Sequence, residues 1–186
     1  MHTTYKLNVA GLERDLVICK VSDSLSIAAF VIFGDVEMTV AAAGELLKLA
    51  PEYDILITAE SKGIPLVHEM ARQSGRNDYI VARKGVKLYM KEAFSVELQS
   101  ITTQKKQHLY IDFAEAERMR GKKVLIVDDV ISTGESVRAV EKLIIEAGGL
   151  VVGRMAILAE GDAKYREDII YLERLPLFNT DGSPKI

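Results

Sequence analysis

Residues 124–136 read VLIVDDVISTGES, and this stretch decides the architecture. Its first half, with Lys123 before it, predicts a strand that is apolar throughout its interior, as expected when helices cover both faces of a sheet. The strand delivers two adjacent carboxylates, Asp128 and Asp129. Ser132, Thr133, Gly134 and Ser136 then lead directly into a helix predicted over 135–147, with Val137, Val140 and Ile144 on one stripe. Backbone amides at a helix start lack intrahelical partners and carry the positive end of the macrodipole. Small hydroxyl residues and one glycine let the chain wrap a phosphate closely. The segment therefore predicts a phosphate site, with the acid pair facing a second polar group such as sugar hydroxyls or a metal. Ordinary capping by Ser132 or Thr133 explains the hydroxyls and the glycine but not the two acids. A triphosphate-binding loop needs G-x-x-x-x-G-K-[ST], which the chain lacks.

Outward from this segment, strand and helix alternate. Val36, Val40, Ala43, Leu46 and Leu47 recur at helical spacing up to Pro51; residues 53–59 and 78–82 read as strands around a helix at 64–73. A strand is expected at 107–113, and two more at 150–158 and 168–172 after the Gly148-Gly149 stop. Alternation of this kind predicts an α/β fold, a parallel sheet flanked by helices, over a core at 35–172. The front end differs, with short β segments at 5–9, 15–21 and 26–33. It is expected to form a small N-terminal hood subdomain over 1–34, with part of 172–186, above the sheet edge where ligands of open α/β sheets bind.

With 186 residues, 48% hydrophobic and 27% charged, the chain suits one domain with a proper core, and disorder is excluded. A single cysteine, Cys19, excludes a disulfide scaffold or a cysteine-cluster zinc site, and three scattered histidines lack zinc-finger spacing. Cys19 lies in an apolar segment and is expected to be buried. No apolar stretch approaches the roughly 20 residues of a membrane span, and the first residues lack a signal-peptide pattern; a reducing cytoplasm fits. A net charge of −3 argues against general nucleic-acid binding. Residues 83–106 reverse the sign, with six cations against two acids. They form either a solvated loop or a cationic flap over a small polyanion.

VLIVDDVISTGES resembles the thirteen-residue phosphoribosyl diphosphate (PRPP) signature of type I phosphoribosyltransferases. Two further segments support the resemblance: Glu60-Ser61-Lys62-Gly63, similar to the diphosphate loop of adenine phosphoribosyltransferases and purine-repressor relatives, and Ala82-Arg83-Lys84, similar to the start of the flexible catalytic loop of adenine and xanthine enzymes. The resemblance implies the type I phosphoribosyltransferase fold with a flexible loop at about 84–106. It implies transfer of 5-phosphoribose from PRPP to a purine base, adenine first. Alternatives are a xanthine or other 6-oxopurine enzyme, or a non-catalytic PRPP-sensing regulator. Asp128 and Asp129 would face the ribose hydroxyls, with Val130, Ile131, Ser132, Thr133, Gly134, Glu135 and Ser136 around the 5′-phosphate. Glu60, Ser61, Lys62, Gly63 and Arg83 would hold diphosphate, and Arg83 and Lys87 would act on it as it leaves. Mg²⁺ would arrive bound to PRPP rather than in a protein cage, and a homodimer is implied. A loop carboxylate at Glu97 and a proton donor at His108 stay open, as does base stacking by Phe30 or Phe33. His108 is more simply an edge-strand residue, and the two phenylalanines are more simply core aromatics.

Overall fold

The computed structural model describes residues 4–99 and 106–185. A five-stranded parallel sheet runs in the order β10-β9-β8-β4-β5, with β4 at Ile55–Ala59, β5 at Ile80–Ala82, β8 at Lys123–Ile131, β9 at Leu150–Glu160 and β10 at Ile170–Leu175. Strand β8 is central, and Val124, Leu125, Ile126 and Val127 are all buried. The two-residue period of a strand sends them to opposite faces. Leu125 and Val127 join a core with Met38, Leu46, Leu66 and Met70, beneath helices α1 (Val36–Leu49) and α2 (Gly63–Gln73). Val124 and Ile126 join the core under α4 (Glu135–Glu146), which contributes Val137, Val140, Leu143 and Ile144. This is the α/β arrangement expected from the sequence.

The front of the chain builds an antiparallel sheet of β1 (Thr4–Val9), β2 (Leu12–Ser22) and β3 (Leu25–Ala28), joined by β11 (Leu177–Phe178). Leu7, Val9, Leu16, Ala28 and Phe178 from this sheet enter the same core as α1 and α2. A charged contact pins the sheet to α1. Asp35 caps the helix by accepting from Met38 N at 3.0 Å, and Arg14 of β2 donates to Asp35 at 2.7 Å. The guanidinium bond holds the Asp35 carboxyl below the usual carboxylate range.

Four local expectations are corrected. The strand expected over 26–33 ends at Ala28; the chain then leaves the sheet, burying Phe30 and Ile32, and turns at Gly34 (φ 81°) into the α1 cap. Residues 93–99, assigned to the flap, form strand β6 (Ala93–Gln99), which pairs antiparallel with β7 (Lys106–Asp112) from Ala93↔Asp112 to Gln99↔Lys106. Alternation of Phe94 and Val96 with Ser95 and Glu97 supports that strand, and Val96 is buried. The Asp112–Glu115 capping box starts helix α3 at Phe113–Met119, so the strand expected over 107–113 stops one residue early and is followed by a helix that was not expected. Cys19 is exposed, because only one face of β2 is covered. Lys105 of the cationic stretch lies outside the described residues.

Candidate active site

Parallel strands bring the loops after β4, β5, β8 and β9 to one edge. Beyond β8 the chain bends through Ser132 and Thr133 to Gly134, which has φ 75° and is the N-cap of α4. No side chain caps this helix; a weak 3.4 Å bond from Glu135 N to Thr133 Oγ1 is the local substitute. Capping therefore does not account for the hydroxyl residues. Asp128 and residues 130–137 wall a cavity of about 110 Å³ at the helix start. Helix dipole and amides make it an anion-binding position.

The acids sit beside that cavity with unequal surroundings. Asp129 is 4% exposed, and its Oδ2 lies 2.6 Å from Lys62 Nζ, off hydrogen-bond geometry, so the contact is an ion pair. Lys62 Nζ also donates to the Phe30 carbonyl at 3.3 Å. Asp128 Oδ1 accepts from Asp129 N at 2.9 Å. Burial, then the adjacent Asp129 charge, pushes the Asp128 carboxyl well above the ordinary carboxylate range, although the side chain keeps some solvent access. Glu160, at the end of β9, bonds Ser132; its carboxyl is raised by burial, opposed by that bond and by Lys62.

The upward shift of Asp128 has a signed consequence. An unfolded aspartate releases its proton near pH 4, whereas the folded chain holds it to higher pH, so native stability falls as pH rises through that window. Thermal melts between about pH 4 and pH 9 should show this decline, and Asp128→Asn should flatten it. Parallel curves for the two proteins would contradict the assignment.

At the end of β4, Glu60 gathers cations. Its Oε2 accepts from Lys84 N at 3.0 Å, and Oε1 lies 3.5 Å from Arg83 Nη1 and 3.7 Å from Lys87 Nζ. The Lys84 amide first, then these charges, hold the Glu60 carboxyl below its usual range. The Glu60–Ser61 peptide bond is cis. Arg83 is fixed in turn: its N–H and carbonyl exchange 2.8 Å bonds with Tyr110 of β7, and its Nε donates to Tyr89 at 3.1 Å. Gly63 opens α2 beneath Asp128, where an added Cβ would sit 2.1 Å from Thr58 Oγ1 and 3.3 Å from Asp128 Oδ1.

The structure thus gathers Glu60, Lys62, Arg83, Lys87, Asp128 and Asp129. It does not bring Glu97 and His108 to them. These two face one another across the β6–β7 pair at 3.6 Å, and the Glu97 carbonyl accepts from Lys142 in the second half of α4. The Phe30 ring is buried in the core and only its carbonyl meets Lys62, whereas Phe33 is 51% exposed. Sequence reasoning did not place Glu160 or Tyr89 here; the position of Glu160 at a strand end was the available signal. Among the described residues no group of three or more His, Cys, Asp or Glu could hold a metal ion. No helix among them is long and apolar enough to cross a membrane.

Known proteins share parts of this sequence and its fold. A hypoxanthine/guanine phosphoribosyltransferase of Methanococcus voltae is 32% identical over 123 residues, 66% of this chain and 62% of its own length. An adenine phosphoribosyltransferase of Thermotoga maritima is 35% identical over 109 residues, 59% of each chain. The chain thus spans about 60% of the length of these relatives. The fold is shared with the adenine phosphoribosyltransferase of Thermoanaerobacter pseudethanolicus (TM-score 0.63, 24% identity, 77% of this chain and 84% of that one). It is also shared with the Giardia lamblia enzyme complexed with 9-deazaadenine (TM-score 0.60, 18% identity, 92% and 93%). The model of the phosphoribosyl transferase domain matches residues 38–180, most of the chain, and the protein belongs to the phosphoribosyltransferase family.

Proposed function

We propose that the protein transfers 5-phosphoribose from PRPP to a purine base, releasing diphosphate and forming a nucleoside monophosphate. One observation carries the reading: at a strand end Asp128 walls a small cavity at an uncapped helix start, and the adjacent carboxylate, Asp129, is paired with Lys62. The 5′-phosphate enters that cavity, within reach of the backbone amides of 133–136 and the hydroxyls of Ser132, Thr133 and Ser136. Ribose hydroxyls donate to Asp128 and Asp129. Diphosphate draws the cations now held by Glu60 and Asp129. Lys62 is 42% exposed and can swing, whereas Asp129 cannot, so binding exchanges an internal ion pair for two ligand contacts.

In the reaction the anomeric carbon–oxygen bond breaks with its electron pair on diphosphate, and a ring nitrogen of the base bonds that carbon as its proton departs. The ribose is oxocarbenium-like between these events. A carboxylate about 5 Å away at an effective dielectric near 20 contributes roughly 3 kcal/mol. Arg83, Lys87 and Lys62 meet the growing charge on the leaving group, and Mg²⁺ enters with PRPP as part of the substrate. The loop that follows Arg83 would, on closing, keep water from the activated sugar. A cytoplasmic homodimer completes the proposal.

Adenine is our first base. A 6-oxopurine is the second reading, favoured by the Methanococcus voltae relative and its hypoxanthine/guanine name. Incubation with labelled PRPP, Mg²⁺ and separate purines should give labelled nucleotide with one class of base. PRPP binding without nucleotide from any base would leave a sensor and end the enzymatic reading.

A further inference from the structure

Gly134 is surrounded in a way that its left-handed φ alone does not explain. An added Cβ would fall 2.2 Å from Nη1 of Arg166 and 3.8 Å from Nη1 of Arg138. Two guanidinium groups, one from α4 and one from the segment before β10, therefore converge on a single backbone position of the loop.

Arg166 is held there. Its Nε and Nη2 form a fork on Asp168 at 2.9 and 2.7 Å, leaving Nη1 to meet Gly134. Asp168 lies 3.9 Å from Arg154 Nε, and Arg154 forms its own fork on Glu141 of α4. The chain of contacts ties β9, α4 and the β9–β10 connection to one turn of the loop. Exposed Arg–Asp pairs ordinarily contribute little, but this one is 26% exposed on the arginine side and occupies the volume that glycine leaves open. The walls of the loop cavity come from Asp128 and residues 130–137, so Arg166 stands behind the loop rather than in it.

We propose that Arg166 is a positioning residue for phosphomonoester binding: tethered by Asp168, it braces Gly134 from the outer side and adds positive potential to the amides of the loop. This rests on the reading of the loop as a phosphate cradle. The guanidinium plane fills the glycine gap and limits how far the turn can move, so the amides of 134–136 keep one aim. Its charge lies close enough to act through the loop, and salt should weaken that part.

The test is calorimetric binding of ribose 5-phosphate to the full chain, with PRPP kinetics alongside. Arg166→Gln should weaken ribose 5-phosphate binding about tenfold and make it less salt-dependent, raising KM for PRPP more than it lowers kcat. Arg166→Lys should recover part of the affinity, because it restores charge without the fork. Asp168→Asn should shift affinity in the same direction as Arg166→Gln, by less. If Arg166→Gln fails to fold, the Lys and Asp168→Asn variants carry the comparison. Binding within twofold of the parent in the folded variants overturns the inference alone, as does a fall in kcat at unchanged KM. A parent chain that does not bind ribose 5-phosphate overturns the phosphate-cradle reading and this inference with it.

Discussion

Asp129→Ala should lower turnover by at least about two decades while the chain stays folded. The side chain is buried against a half-exposed lysine, and the two partners respond differently to its loss. Lys62 can extend into solvent, so no charge is stranded and the thermal midpoint should move by only a few degrees. What disappears is a fixed negative charge that the proposed mechanism sets beside the sugar, and no water can replace it with the same orientation. Steady-state rates with PRPP and the preferred base measure the effect. Asp129→Asn should fall nearly as far, because shape is kept and charge is not. Turnover close to that of the parent would remove the carboxylate from the mechanism.

Gly63→Ala should be the most damaging single methyl group in the site. Thr58, the residue whose Oγ1 an alanine would meet at 2.1 Å, is fully buried and β-branched, so it has little freedom to turn away. Overpacking of this kind costs about 1–3 kcal/mol. Relief by shifting α2 would carry Lys62 and the floor beneath Asp128 with it, so activity should fall as well. Urea unfolding of four proteins separates the causes: the parent, Gly63→Ala, Thr58→Ala and the double variant. The double variant should be more stable than the sum of the single changes predicts, since the clashing oxygen is gone. Additive losses would show that the close approach is not the cause.

The central part of this fold is legible because β8 and its turn are local. An apolar run, two acids and a glycine occupy consecutive positions, and strand polarity alone carries them to the edge where Lys62 and Arg83 also arrive. Strand β6 was harder to read: its alternating pattern is embedded in a cationic stretch whose charges suggest a loop. Helix α3 is announced only by a capping box that follows directly on a strand. The pairing of Ser132 with Glu160, of Glu60 with Lys87, and of Gly134 with Arg166 joins residues far apart in sequence. No local spacing encodes those contacts. For Phe30, composition correctly favoured the core; what the sequence could not show is that its carbonyl, not its ring, faces Lys62.

Strand β11 is two residues long, yet it completes the front sheet, with Leu177 opposite Ile27 and Phe178 opposite Ser26. Joining them closes a loop of roughly 150 residues, an entropic debt that local contacts cannot settle early. A chain emerging from the ribosome must hold β1 to β3 unfinished until residues 177–178 have been made. Meanwhile the open side of β3 is a bare edge, able to recruit another chain's backbone. Disrupting Leu177 and Phe178 therefore acts on strands about 150 residues upstream, and their loss would surface as fraying or clumping of β1 to β3.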